Sequence, residues 1–221
     1  MATSEAARLP GHEMPKTRQR LLLAAAREIH IHGFQAASLS RILAQTGVTK
    51  GALYHHFAGK LALGYAVLDE CYAPALRASW IAPLQGRDKD PVDTMIRILR
   101  HAAEQMQDAE VPLGCPVNNL AQEMSPVDPG FRQRIDALLG DWRSAIESAF
   151  GKAQRRGSIV SDVDVRCVAA FVVASIQGCV GMAKNAQSRQ ILMDCGTGLV
   201  GYLQSLRTQP REGREKDAHH E

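Results

Sequence analysis

Thr49, Lys50, Gly51, Ala52, Tyr54 and His55 follow one another so closely that, on a helix, they share one side. That side is small, polar and cationic and carries no acid. Its ammonium, phenol, imidazole and hydroxyl groups suit the acceptor-rich edges and phosphates of a DNA major groove. A second residue with chemistry of its own is Cys115, set between Gly114 and Pro116. Proline is favoured at the first helical position, so Cys115 reads as an N-cap, where free amides and the helix dipole would stabilise a thiolate. The plainer alternative for Cys115 is a small buried hydrophobe. Hydrolytic and metal chemistry find no support. There is no serine–histidine–acid set, no glycine-rich phosphate loop and no Cys/His pair at metal-ligand spacing.

The cationic side needs a helix held at the surface by a small core, and the stretch Ser38–Phe57 (SLSRILAQTGVTKGALYHHF) supplies one. Ser38 is a good N-cap, and Leu39, Ile42 and Leu43 recur at helical spacing behind it. Gly47 can take the left-handed conformation that ends a helix abruptly. Thr49 caps the next helix, with Val48 and Leu53 turned back into the same core. A helix from about Lys16 to Ile31 precedes the pair, offering Leu21, Leu22, Ala25, Ile29 and then Phe34 as a core face. A fourth helix starts near Gly59–Lys60 and runs toward Trp80. Its free amides and Lys60 together make a phosphate site.

Residues 16–66 resemble the DNA-binding domain of the TetR family of bacterial transcriptional repressors. The likeness rests on His32-Gly33-Phe34 closing the first helix, the Ser38-Leu39 entry, and TGVTKGALYHHFAGKLAL from Thr46 to Leu63. The resemblance implies that Lys50, Gly51, Ala52 and His55 meet base edges and that Ser38, Thr49, Tyr54 and Lys60 meet phosphates. It also implies a homodimer formed by the last two helices, about 165–184 and 189–206. The stretch GCPVNNLAQE resembles a GC-x-x-x-N-L-x-x-E signature in one group of such regulators, some of which sense electrophiles or oxidants through that cysteine. On that likeness Cys115 is a candidate redox sensor, and Lys184, on the penultimate helix, is the candidate partner that would lower its pKa if the fold brings it near.

The remaining chain reads as all-α. We expect a three-helix helix-turn-helix domain followed by a larger helical domain for ligand binding and dimerisation, about nine helices in all. The expected limits are a disordered arm at 1–15, the DNA-binding domain at 16–60 (motif 38–57, TetR-type region about 16–76), the effector and dimerisation domain at 61–206, and a flexible tail at 207–221. Pro83–Pro91 reads as a loop. Helices are expected at about Val92–Gln107, Val117–Met124, Pro129–Arg156, Val165–Lys184 and Arg189–Leu206. The helix through Val165–Lys184 is apolar on nearly all sides and must be buried on more than one. Gly178, Gly181, Gly196, Gly198 and Gly201 lower helix propensity in the last two helices, which fits close helix approach in a four-helix bundle.

Charge supports the same division. Lys16–Lys60 holds seven basic residues against one acid, whereas from Leu61 onward 18 basic face 20 acidic residues. The positive field therefore sits over the first fifth of the chain, and a near-palindromic double-stranded operator is the expected partner. Five scattered cysteines read as free thiols in a reducing compartment, and no leader segment or membrane span is expected, so the protein should be cytoplasmic. No cofactor is expected. A small-molecule effector would lie between the long helices, with Trp80, Leu99, Met106, Cys115, Met124, Phe131, Trp142 and Phe171 as candidate walls. The rival readings are a DNA-architectural protein without an effector and, more distantly, an enzyme. Some 150 residues of apolar helix beyond the reading head argue against the first.

Overall fold

The computed structural model describes residues 17–86 and 90–208. The arm expected at 1–15, residues 87–89 of the Pro83–Pro91 loop and the tail from 209 lie outside the described residues. The chain divides into two compact units that meet at Val67/Leu68, rather than at 60/61.

In the first unit α1 (Thr17–His32), α2 (Leu39–Thr46), α3 (Lys50–His56) and α4 (Lys60–Val67) enclose one apolar centre. Leu21, Leu22, Ala25, Ile29, Phe34, Ala37, Ile42, Leu53, Phe57, Leu63 and Val67 are all buried there. Leu21, Ala25 and Leu53 are wholly enclosed, and each leucine contributes about 1.5–3 kcal/mol by leaving water. Leu39, Leu43 and Val48 are only half-buried, so Ile42 and Leu53 carry the hairpin's share of the core.

The second unit begins with a helical run that the sequence presents as one regular helix. It opens with a π-helical turn, Leu68–Tyr72, and continues through α5 (Ala73–Leu76), a second π turn (Arg77–Ile81) and a 3-10 turn (Ala82–Gln85). Pro74 is the physical reason for the first irregularity, because it lacks an amide and its ring crowds the preceding turn. Then come α6 (Pro91–Gln105), α7 (Pro116–Met124), α8 (Pro129–Arg155), α9 (Val165–Ala186) and α10 (Arg189–Ser205). Counting 60–85 as one run gives nine helical segments among the described residues, as expected.

Local chemistry sets the ends. Asp90 caps α6 through the Val92 and Asp93 amides at 2.8 and 3.1 Å, Asp128 caps α8 through the Phe131 amide at 2.7 Å, and Asp164 caps α9 through the Arg166 amide at 2.8 Å. The α8 residues Phe131, Ile135, Leu138, Trp142, Ile146 and Phe150 recur every three or four positions and form the buried spine of this unit.

One expectation needs correction here. Arg207 and Thr208, assigned to the tail, are tied down. The Val160 amide donates to the Leu206 carbonyl at 2.9 Å, the Thr208 amide to Ser158 at 3.3 Å, and Arg207 pairs with Asp93 at 2.6 Å and Asp90 at 3.3 Å. The five glycines of α9 and α10 do not mediate contact between those helices within the chain: a Cβ at any of them would meet nothing within 4 Å. α9 packs on α8 and on α10, and on its remaining side Phe171 and Met182 are each more than half exposed among the described residues. Among the described residues this helix alone is long and apolar enough to cross a membrane by composition, with a mean hydropathy of 1.7 over 18 residues.

Candidate nucleic-acid interface

The turn between α2 and α3 is built as its residue types require. Ser38 Oγ accepts from the Arg41 amide at 3.4 Å and starts α2, and Gly47 ends it at φ +65° with its amide on the Leu43 carbonyl. Thr49 Oγ1 accepts from the Ala52 amide at 3.2 Å and starts α3 two residues later. With Leu53 anchoring the inner side, Thr49, Lys50, Gly51, Tyr54 and His55 stand exposed on the outer one, and Ala52 is partly covered. Lys50 Nζ lies 6.0 Å from the centre of the Tyr54 ring, so the two side chains share one patch. His55 and His56 meet edge to face at 5.2 Å.

Lys60 is less free than its charge implies. Its ammonium donates to the Gln35 carbonyl at 2.8 Å and stands 5.2 Å from the Phe34 ring centre, clamping the start of α4 to the loop after α1. Only its remaining donors can serve a phosphate.

Sequence reasoning missed the residue that holds the hairpin in place. Glu28, on α1, is almost fully enclosed. It accepts from Arg41 Nε at 2.6 Å and from the Ser38 amide at 3.0 Å, and Arg41 also donates to the Ala36 carbonyl at 2.9 Å. Burial alone would raise the Glu28 carboxyl. The Arg41 hydrogen bond, the Ser38 amide and the charges of Arg41 and His32 outweigh it and hold the group below its ordinary value. At the other end of α2, Arg20 donates to the Thr46 carbonyl, one of the acceptors a helix C-terminus leaves unpaired. Arg18 stands over the Phe57 ring at 5.1 Å. Much of the basic charge counted in 16–60 therefore also orients α2 and α3. The one available signal was that Glu28 is the sole acid in that stretch.

The residues proposed for an effector site divide between the core and the surface of the second unit. Phe131, Trp142 and Met124 are buried core. Trp80 packs on Trp142 with ring centres 5.0 Å apart, and Leu99 and Met106 are half-buried on α6 and its C-terminal cap. Phe171 is on the open side of α9, 4.7 Å from Tyr202 of α10 and away from that core. Aromatic residues at helical spacing filled the core or a surface, and periodicity cannot tell those from a cavity wall. One feature of the core stands out. Trp142 Nε1 is a buried donor with no acceptor among the described residues.

Cys115 caps α7 as its proline neighbour requires, but the expected thiolate is not favoured. Burial pushes the Cys115 thiol up, and the Asn118 and Val117 amides and the Gln177 side chain only partly offset it. Lys184 is not among the groups acting on that sulfur. Its ammonium donates to Asn119 Oδ1 at 3.0 Å, and its stem passes so close to Gly114 (φ +70°) that a Cβ there would lie 2.9 Å from Lys184 Cδ.

Two capped helices around a left-handed glycine, with a cationic outer side on the second, define a helix-turn-helix DNA-binding protein. Residues 21–67 match the family described as bacterial regulatory proteins, tetR family, and residues 91–194 match the tetracyclin repressor-like C-terminal domain. The crystal structure of a TetR transcriptional regulator from Chloroflexus aurantiacus J-10-FL is 30% identical, with a TM-score of 0.76 over 87% of this chain and 96% of that one. The transcriptional repressor DhaR of Mycobacterium sp. (strain GP1) is 26% identical over 79% of this chain and 86% of its own length. The transcriptional regulator AcuR of Cereibacter sphaeroides is 28% identical over 75% of each. The chain belongs to the TetR family and is a DNA-binding transcriptional regulator, not an enzyme.

Proposed function

We propose that this regulator is a homodimeric repressor that reads a near-palindromic operator and is released from it by a small-molecule effector. The observation that carries the reading is the apolar side of the α9–α10 hairpin that stays exposed among the described residues. Phe171, Ala174, Gly178 and Met182 line it on α9, and Met193 adds to it on α10. An open stripe of this kind marks an association surface, and a second copy of the chain is the occupant that brings a second α3. A seven-residue helix reaches only a few base edges, so two copies in successive major grooves supply the needed length. In this reading Lys50, Gly51, Ala52 and His55 face bases, and Ser38, Thr49, Tyr54 and Lys60 face phosphates.

The unpaired Trp142 N–H supports an effector that carries a hydrogen-bond acceptor such as a carbonyl, because a buried donor without a partner costs about 1–3 kcal/mol. Cys115 supports a second class, a soft electrophile, through the Val117, Asn118 and Gln177 groups directed at its sulfur. Its raised pKa makes that capture slow near neutral pH. An effector acts only by binding one conformation of the dimer better than the other. The test is selection of bound fragments from sheared genomic DNA, with light scattering on the same sample. A dimer that selects two-fold-related half-sites is expected. A lone subunit, or binding without sequence preference, refutes the reading.

A further inference from the structure

Two of the five cysteines form a pair that neither DNA reading nor the core requires. Cys179 on α9 and Cys195 on α10 each lie eight residues from Gln187, whose left-handed backbone (φ 49°) ends α9. Antiparallel helices joined by a tight turn bring such equidistant residues opposite one another. The contact between Phe171 and Tyr202, sixteen and fifteen residues from Gln187, fixes the same register farther along the hairpin. Cys195 is the neighbouring side chain that acts on the Cys179 thiol, and both residues are half-buried. Each has a glycine as its chain neighbour, Gly178 and Gly196, and a Cβ at either would meet nothing within 4 Å.

We propose that Cys179 and Cys195 form a two-sulfur site that captures one monosubstituted trivalent arsenical as a cyclic dithioarsenite. The ligand class follows from the number of donors. Among the described residues no group of three His, Cys, Asp or Glu is placed to hold a metal ion, so the pair lacks the four ligands of a structural zinc site. An organoarsenous acid, R–As(OH)2, needs two sulfurs in mutual contact. Two As–O bonds break and two As–S bonds form. The thiol protons leave with the hydroxyls as two waters, and arsenic stays trivalent, so no oxidant is required. Protonation favours this outcome over a disulfide. Burial first, and then the Cys195 sulfur, push the Cys179 thiol up to about 12, leaving little thiolate for thiol–disulfide chemistry.

The experiment treats the full-length protein with one equivalent of phenylarsine oxide and then with excess glutathione, and reads intact mass. Glutathione strips an arsenical held by one sulfur and leaves one held by two. Wild type is expected to keep one phenylarsenic per subunit until dimercaptopropanol is added. Cys179→Ser and Cys195→Ser are expected to lose it, and the triple variant Cys71→Ser, Cys115→Ser, Cys167→Ser to keep it. Loss of the adduct from wild type or from the triple variant overturns the proposal, as does its retention by either single variant. The triple variant contains both sulfurs of the pair, so the result stands even if a single variant fails to fold.

Discussion

Replacing Glu28 by glutamine keeps the side chain's shape and one acceptor oxygen while removing its charge. In the native unit that carboxylate accepts from Arg41 at 2.6 Å and from the Ser38 amide at 3.0 Å. A hydrogen bond to a charged group contributes about 1.5–3 kcal/mol and a neutral one about 0.5–1.5, so the Ser38 contact weakens by about 1 kcal/mol, and the Arg41 contact, which keeps the guanidinium charge, by no more than that. The Arg41 side chain is 49% exposed, and solvent screening places the sum near the lower end, at about 1–2 kcal/mol. That corresponds to roughly 5–30-fold more frequent opening of α1–α3. Hydrogen exchange by mass spectrometry on peptides from 17–56 reads it directly, against peptides of α8 as the internal control.

The pH dependence has a definite sign. The Glu28 carboxyl is held below its ordinary value of 4.5, so its contribution is complete above that pH and fades as pH falls through the native value. The difference between wild type and Glu28→Gln should be full at pH 7 and shrink below pH 4.5. Equal exchange at pH 7, or a difference that persists unchanged well below pH 4.5, refutes the assignment of Glu28 as the clamp on α2.

Lys50→Ala should lower operator affinity by about 1–3 kcal/mol and relax preference at one base pair, whereas Lys60→Ala should weaken all sequences alike and reduce the salt slope by about one unit; binding curves on matched and mismatched sites at several salt concentrations compare the two. Gly47→Ala forces a Cβ into the left-handed region and should cost about 1–2 kcal/mol, seen as faster exchange in α2 and α3 but not in α8. Phe171→Glu places a charge on the open side of α9 and should split the dimer, as measured by light scattering, without lowering helix content by circular dichroism. Iodoacetamide at neutral pH should label Cys115 more slowly than the exposed Cys167; faster labelling of Cys115 would contradict the burial that raises its pKa.

The amino-acid sequence determined whatever depends on a few neighbouring residues. Ser38, Gly47, Thr49 and Asp128 act within a turn of their own positions, so the ends of α2, the starts of α3 and α8 and the outward side of α3 could be read directly. Pro74 also acts locally, and its signal was present in the sequence and passed over. Tertiary structure decided what depends on partners far along the chain. Glu28 became a clamp because Ser38 and Arg41 meet it. Lys184 went to Asn119, 65 residues away, and not to the Cys115 sulfur. Phe171 and Trp142 both look like core in a helical repeat, yet one is exposed and the other sealed. Periodicity tells which side of a helix is apolar, and only the packing of other helices tells whether that side is covered.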